Sequence, residues 1–248
     1  MDKYFSARTS CRRFKKQEIP EKLLREIIEK AMKAPTCGNM QLYSVIATRK
    51  NEQKKKLSPF HFNQPASSTA DTILTICADF HRFTKWCNQN NADAGFDNFH
   101  SFITALTDAV IFAQQIVTIA EREGLGTCYL GTVNYNAKEI SELLELPDLV
   151  VPVASLALGY PDEDGEETER LPLNAILHEE TYKEPSDTDI ETFFRVKDEF
   201  EPNKKFVIEN NKENLAQVIS EVRYPREMNE KVSESFLNII REKGFVNN

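Results

Sequence analysis

Apolar residues recur at helical spacing in several segments of the chain. From Pro20 to Ala34 a Pro-Glu start suits a first helical turn, and the apolar positions that follow it are Leu23, Leu24, Ile27, Ile28 and Ala31. A longer pattern from about Phe99 to Glu123 is apolar over a wide surface, which predicts a core helix. Polar residues interrupt this pattern, so its apolar runs are far shorter than the ~20 residues of a membrane span. Shorter helices are predicted from Ala137 to Leu144 and from Val232 to Phe245.

Three other segments are rich in strand-forming residues. They run from Tyr43 to Thr48, from Thr72 to Ala78 and from Val150 to Leu158. The second is apolar along most of its length, as expected for a central strand that is covered on both faces. Gly124 is predicted to end the long helix, and the glycine-rich segment from there to Gly131 is predicted to be a loop.

The hydrophobic content falls after Arg170-Leu171-Pro172, where the chain becomes polar and is punctuated by proline. This part is too poor in apolar residues to form an independent domain, so we expect an arm that packs on another surface. The predicted organisation is a main domain over residues 1–178 and an arm over residues 179–248.

The charge of the chain narrows the possible partners. Its 248 residues carry a formal net charge of -8, so no field over the whole chain would attract a nucleic acid or an anionic membrane. The N-terminus has no export signal and the five cysteines form no Cys-x-x-Cys pair, which favours a cytoplasmic protein without disulfides or zinc. The four histidines show no metal-ligand spacing, and His61, between two phenylalanines, is expected to be a packed core residue.

Four segments carry candidate chemistry. In Arg8–Phe14 three guanidiniums and two hydroxyls crowd together, and Arg8, Ser10 and Arg12 would converge on one anion if the segment is extended; a solvated basic turn is the alternative. The segment Pro35–Gln41 offers Thr36, Asn39 and Gln41 to the edge of a heterocycle, although a plain turn explains it equally well.

The third segment, Gly124–Gly131, would let backbone amides approach a flat ligand, but it follows a helix rather than a strand and so is not a dinucleotide-binding Rossmann turn. The fourth is Arg170, although a lone arginine is most often a surface residue or one half of an ion pair. No nucleophile elbow or Cys-His pairing indicates a hydrolase, so in an enzyme a cofactor would carry the chemistry.

The order of these segments resembles the FMN-dependent nitroreductase family. Arg8-Thr9-Ser10-Cys11-Arg12-Arg13-Phe14 resembles its Arg-x-Ser-x-Arg-x-Phe signature, and Ala34-Pro35-Thr36-Cys37-Gly38-Asn39-Met40-Gln41 resembles its Ala-Pro-Ser-Ser-x-Asn-x-Gln loop. Gly124-Leu125-Gly126-Thr127 with Gly131, and Leu158-Gly159-Tyr160-Pro161, are similar to two further family segments. The remaining chain resembles, more loosely, the long C-terminal arm of the subgroup with NADPH-dependent nitroreductases and flavin reductases.

The resemblance implies an α+β fold and a homodimer. The fold would be a mixed, mainly antiparallel sheet flanked by helices, with the C-terminal arm wrapping the partner subunit. The implied FMN-binding residues are Arg8, Thr9, Ser10, Arg12, Gln64, Leu130, Gly131 and Arg170 from one subunit and Pro35, Thr36, Cys37, Asn39 and Gln41 from the other. Thr36-Cys37 replaces the usual Ser-Ser, and Thr168 stands where the subgroup commonly has a second basic residue.

The resemblance also implies an activity. A nicotinamide nucleotide, NADPH or NADH, would deliver hydride to the flavin N5, and a small acceptor such as a nitroaromatic or a quinone would then remove it in a ping-pong cycle. No side chain would act as an acid, a base or a metal ligand. Two alternatives stay open: an NAD(P)H:flavin reductase that releases reduced FMN, and a flavin-binding protein without catalysis.

Overall fold

The computed structural model describes residues 3–165 and 167–246; Glu166 and the two residues at each terminus lie outside them. The chain forms two compact units, residues 1–166 with 232–248, and residues 167–231. The helices of the first unit are α1 (Lys3–Ala7), α2 (Glu21–Ala31), α3 (Asn51–Leu57), α4 (Pro65–Thr69), α5 (His81–Gln89), α6 (Phe99–Arg122) and α7 (Ala137–Leu143). In the rest of the chain they are α8 (Asp187–Asp198), α9 (Glu201–Glu209), α10 (Leu215–Gln217) and α11 (Arg226–Glu242).

A four-stranded antiparallel sheet forms the centre of the first unit. Its strands are β1 (Tyr43–Thr48), β2 (Thr72–Asp79), β3 (Gly126–Tyr129) and β4 (Val150–Gly159), in the order β1-β2-β4-β3. Both central strands, β2 and β4, are buried along their whole length, as the apolar pattern predicted for β2. The predicted loop from Gly124 to Gly131 is wrong over its middle, because β3 pairs there with β4 from Gly126 opposite Gly159 to Tyr129 opposite Leu156.

Helix α6 packs on the sheet and confirms the predicted core helix. Its Asn98 cap accepts a hydrogen bond from the Ser101 amide (3.0 Å), and Phe112 stacks on Tyr43 of β1 with 4.1 Å between ring centroids. Of the described helices, only α6 is long and apolar enough to cross a membrane, and core helices pass the same test. Gly124 follows the helix at φ +83°, as a C-terminal cap requires.

The C-terminal end of the chain belongs to the first unit. Helix α11 begins at Arg226, before the predicted Val232, and beyond it Phe245 is fully buried against Phe102 of α6, with ring centroids 5.5 Å apart. The second unit has little interior of its own, because Val218 is the single buried residue among its described positions. Residues 167–231 therefore gain little stability from an internal core.

Together these elements confirm the predicted fold class, a mainly antiparallel sheet flanked by helices. Every strand pairing within the described residues is antiparallel.

Candidate active site

The N-terminal segment Thr9–Phe14 runs along the ends of β3 and β4. The Cys11 amide donates to the Thr127 carbonyl (2.9 Å), and Phe14 forms an antiparallel bridge with Pro161. The approach is so close that a Cβ atom at Gly126 would lie 2.6 Å from the Cys11 Cβ. A Cβ atom at Gly159 would lie 2.8 Å from the Phe14 Cβ. These two glycines thus allow the segment to lie directly on the sheet, where the Cys11 hydrogen bond and the Phe14 bridge hold it, so it is not a loose basic turn.

The arginines of this segment differ in their partners. Arg8 pairs with Glu121 of α6 (3.2 Å), which also accepts hydrogen bonds from the Tyr4 hydroxyl (2.7 Å) and the Thr127 hydroxyl (2.5 Å). Arg13 pairs with Glu163 (3.8 Å).

Arg12 is exposed, and its guanidinium has no acidic partner among the described residues. Burial raises the pKa of the Cys128 thiol, and the positive charges of Arg12 and Arg8 both oppose that rise. The charges of both guanidiniums therefore act on Cys128 of β3, and half-buried Thr9 and Ser10 lie between the two arginines along the chain. An anion near Cys128 would meet one uncompensated positive charge and one that is shared with Glu121.

A second group of candidate residues surrounds the end of β3. Leu130 is buried and its amide donates to the Ser155 carbonyl (2.8 Å), so this amide is already used within the sheet. Gly131 opens a short 3-10 helix, Gly131–Asn134, where an amide has no acceptor within the helix. A Cβ atom at Gly131 would meet nothing within 4 Å, which leaves room for a flat ligand over its backbone.

Gln64 is tied to this 3-10 helix through its neighbours. The Asn136 side chain donates to the Phe60 carbonyl (2.7 Å), and His61 Nδ1 lies 2.9 Å from the Thr132 hydroxyl. His61 is fully buried, as predicted, and burial lowers its pKa to about 4. Gln64 itself directly precedes α4 and is half-buried. The structure thus brings Gln64 and Gly131 onto two turns that are bonded to each other.

The loop Pro35–Gln41 lies elsewhere in the unit. The carboxylate of Asp108 on α6 accepts hydrogen bonds from the Cys37 amide (2.9 Å) and the Leu42 amide (3.3 Å). Asp108 precedes Glu121, the partner of Arg8, by 13 helical residues, or about 20 Å at 1.5 Å per residue. The loop therefore lies far from the Arg8–Arg12 segment of its own chain.

Arg170 is described within the second unit. One nitrogen of its guanidinium donates to the Thr168 carbonyl (3.2 Å), the Thr168 hydroxyl (2.5 Å) and the Glu169 carbonyl (3.0 Å). Among residues 3–165 and 167–246 no group of three or more His, Cys, Asp or Glu side chains could hold a metal ion. Asp108 and Arg82, which both bond the Pro35–Gln41 loop, were not among the predicted site residues. The only sign of Asp108 in the sequence is an acid within an apolar helix.

Comparison with known proteins shows the family of the chain and its structural relatives. Residues 5–160 match the model of the Nitroreductase family. The chain belongs to this family. The resemblance carried by the N-terminal, loop and glycine motifs is thereby confirmed.

Relatives of this nitroreductase-family chain cover most of its length. A Cr(VI) reductase of Pseudomonas sp. (strain G-1) is 34% identical over 70% of this chain and 72% of its own. An FMN reductase (NADPH) of Bacillus subtilis is 31% identical over 72% of each chain. Among solved structures, the NfrA1 nitroreductase of B. subtilis superposes with a TM-score of 0.87 at 27% identity over 99% of both chains. A Bacteroides fragilis protein superposes with a TM-score of 0.97 at 42% identity, over 99% of this chain and all of its own.

Proposed function

We propose that this protein is an FMN-dependent NAD(P)H oxidoreductase that reduces a small acceptor, such as a nitroaromatic or a quinone, in a ping-pong cycle. Family membership and the names of its relatives, which include FMN reductases and an NADPH nitroreductase, support this proposal. Bound FMN would supply the hydride transfer between the nicotinamide nucleotide and the acceptor. The residues of the chain would bind and orient the reactants.

One observation carries the proposal: in a chain of net charge -8, the Arg12 guanidinium is exposed without an acidic partner among the described residues, and its charge and that of Arg8 both act on Cys128. A phosphate group matches such a cationic pair. The free space over Gly131, next to the Gln64 turn, suits a flat ring with a polar edge. These residues fit FMN, with Arg8, Thr9, Ser10 and Arg12 at the phosphate and ribityl chain and Gln64, Leu130 and Gly131 near the ring. The family resemblance alone adds Arg170 to the proposed phosphate ligands.

We further propose that the protein works as a homodimer. Helix α6 exposes the apolar residues Phe99, Ile103, Val110 and Ile111, between 39% and 49% of each. The Pro35–Gln41 loop is fixed by Asp108 at the same level of this helix. A second copy on this face would cover the apolar surface. Because the loop is far from its own Arg12, its residues Pro35, Thr36, Cys37, Asn39 and Gln41 would serve the flavin of the partner.

The arm fits the same assembly. The second unit buries one described residue fully, and its exposed apolar side chains include Leu173, Ile176, Leu177, Tyr182 and Ile208. Residues 179–248 would act as a dimerisation extension. Contact with the partner subunit would bury part of the exposed apolar surface of the second unit. All five cysteines are free, which suits a reducing cytoplasmic setting.

The decisive experiment compares Arg12→Ala with its neighbour Arg13→Ala, which removes a charge already paired with Glu163. We expect wild-type protein to be yellow and to be bleached anaerobically by NADPH or NADH. Arg12→Ala should lose FMN affinity by about tenfold or more, the worth of one charge-assisted hydrogen bond, while Arg13→Ala retains it. Full FMN occupancy of Arg12→Ala at nanomolar protein would contradict the assignment, and a yellow protein that neither nucleotide bleaches would contradict the activity.

The dimer is tested separately by sedimentation. Val110→Asp places a charge in the exposed face of α6 and should shift the protein towards monomer. Lys22→Asp, on a side chain that is 89% exposed on α2, is the control and should remain dimeric. A monomeric wild-type protein would refute the assembly.

A flavin reductase that releases reduced FMN is the second candidate, favoured by the names of two Bacillus subtilis relatives. Turnover of free FMN at rates above those for nitro compounds would support it.

A further inference from the structure

One buried carboxylate closes both ends of the loop from Thr36 to Leu42. Asp108 is 2% exposed, and its Oδ1 accepts the Cys37 amide (2.9 Å) while its Oδ2 accepts the Leu42 amide (3.3 Å). The two amides are five residues apart, so a single side chain spans the loop. Asp108 has no cationic partner among the described residues, and these amides compensate its charge.

A guanidinium holds the same loop through its carbonyl groups. Arg82 Nη2 donates to the carbonyls of Gln41 (2.6 Å) and Tyr43 (3.2 Å). Its Nη1 lies 3.4 Å from a carboxylate oxygen of Asp79, which is buried at the end of β2 and also accepts the Ser44 hydroxyl. The Asp108 carboxylate thus accepts hydrogen bonds from backbone N–H groups at the ends of the loop, and the Arg82 guanidinium donates hydrogen bonds to backbone carbonyl groups.

The backbone of this loop needs such support. Gly38, Asn39 and Gln41 have φ values of +54°, +56° and +54°. A side chain in this left-handed region is unfavourable unless surrounding contacts fix it. As a result, the side chains of Asn39 and Gln41 lie next to each other: the Gln41 side-chain nitrogen Nε2 donates to the Asn39 side-chain oxygen Oδ1 (3.3 Å).

We propose that Asp108 and Arg82 are positioning residues that set the Thr36–Leu42 loop for the flavin site of the partner subunit. The inference rests on the proposed function and dimer. A buried charge by itself adds little to the stability of a core helix, because the cost of its desolvation offsets what its hydrogen bonds contribute. The charge is useful because it fixes one conformation of a loop whose side chains are needed in another subunit.

The first test is FMN affinity, measured by fluorescence quenching on the purified dimer. In Asp108→Asn the amide nitrogen would face one of the two backbone N–H groups, so one of these hydrogen bonds is lost. We expect FMN affinity to fall by about tenfold, as for one charge-assisted hydrogen bond, while the dimer persists. Ile27→Val, a buried change on α2, is the control for lost stability and should bind FMN like wild type.

Mixed dimers separate positioning across the interface from a local structural effect. A dimer of one Arg12→Ala chain and one Asp108→Asn chain has both defects in the same site, if the loop serves the partner. Its other site is intact, so it should bind one FMN with wild-type affinity. The matched control carries both substitutions in one chain opposite a wild-type chain. There each site has one defect, and no FMN should bind with wild-type affinity.

Two results would overturn the proposal. The reverse pattern in the two mixed dimers would mean that the loop serves its own subunit. Wild-type FMN affinity of the Asp108→Asn homodimer would mean that Asp108 has a structural role alone. If Asp108→Asn does not fold, Arg82→Ala replaces it, since this side chain is 57% exposed, and the same patterns decide.

Failure of the proposed function has a different signature. Wild-type protein that takes up no FMN overturns both the function and the positioning role. Amide hydrogen exchange in the 35–43 peptide is then the remaining measure of the loop itself, and it should be faster in Asp108→Asn whether or not FMN is present. Unchanged exchange would remove the structural basis of the inference.

Discussion

Acid should destabilise this protein through one histidine. His61 is fully buried, its Nδ1 contacts the Thr132 hydroxyl, and its Nε2 has no hydrogen-bond partner among the described residues. Burial lowers its pKa from 6.5 to about 4. Above pH 6.5 the imidazole is neutral in the folded and the unfolded chain, so it causes no pH dependence there.

Below pH 6.5 the unfolded chain binds a proton that the folded chain does not accept. The free energy of unfolding then falls by about 1.4 kcal/mol for each pH unit, until the folded histidine itself titrates. With a folded pKa of about 4, the loss at pH 5 is about 2 kcal/mol. Because the pKa of His61 is lower in the folded chain than in the unfolded chain, the free energy of unfolding is highest above pH 6.5 and decreases as the pH falls towards 4.

The assay is urea unfolding at pH 7 and pH 5, at a fixed protein concentration because dimers gain stability by mass action. Wild type is compared with His61→Gln, which cannot titrate, and with His100→Gln, an exposed histidine on α6, as the matched control. Wild type should lose about 2 kcal/mol more than His61→Gln between the two pH values, whereas His100→Gln should follow wild type. Parallel losses in wild type and His61→Gln, or an NMR titration of His61 near pH 6.5, would refute the reasoning.

Three substitutions test the packing around the candidate site. Gly126→Ala should destabilise the protein by about 1–3 kcal/mol in thermal unfolding and weaken FMN binding, because the new Cβ would lie 2.6 Å from that of Cys11; an unchanged melting temperature would argue against the close approach. Gly131→Ala should change stability by less than about 0.5 kcal/mol and still weaken FMN binding, since the methyl group would enter the free space over this turn; unaffected FMN affinity would place the ring elsewhere. Phe245→Ala should cost about 3–5 kcal/mol, because it empties a buried site against α6, and a loss below 1 kcal/mol would mean that the C-terminal end does not stabilise the core.

Elements with a strong local pattern could be predicted from the sequence. Strand β1 was predicted with its observed bounds from its strand-forming residues, and α6 within one residue at its C-terminal end, because its helical spacing reflects burial against a core. Strand β3 has four residues and begins with a glycine, so it carries no detectable period. Its conformation comes from its partners, β4 on one side and the Cys11 segment on the other.

Polar helices were missed for a related reason. Helix α3 buries one residue, Leu57, and α8 buries none, so neither helix has an apolar stripe from which it could be predicted. Local signals do exist at α8, where Ser186 and Asp189 form a capping box. Such a signal predicts where a helix begins but not that the helix persists, and the polar composition of the arm concealed it.

Within the candidate site, the motif residues could be predicted and the residues that hold them could not. Asp108 contacts amides that precede it by 71 and 66 positions, and no local pattern connects groups so distant in the chain. The sequence nevertheless contained a physical clue. A carboxylate on the buried side of an apolar helix is very unfavourable unless polar groups satisfy it, so its presence already required a partner from another element. The identity of that partner depends on the tertiary structure. Here the partner is the loop with the left-handed backbone, because its turns leave the Cys37 and Leu42 amides free to bond Asp108.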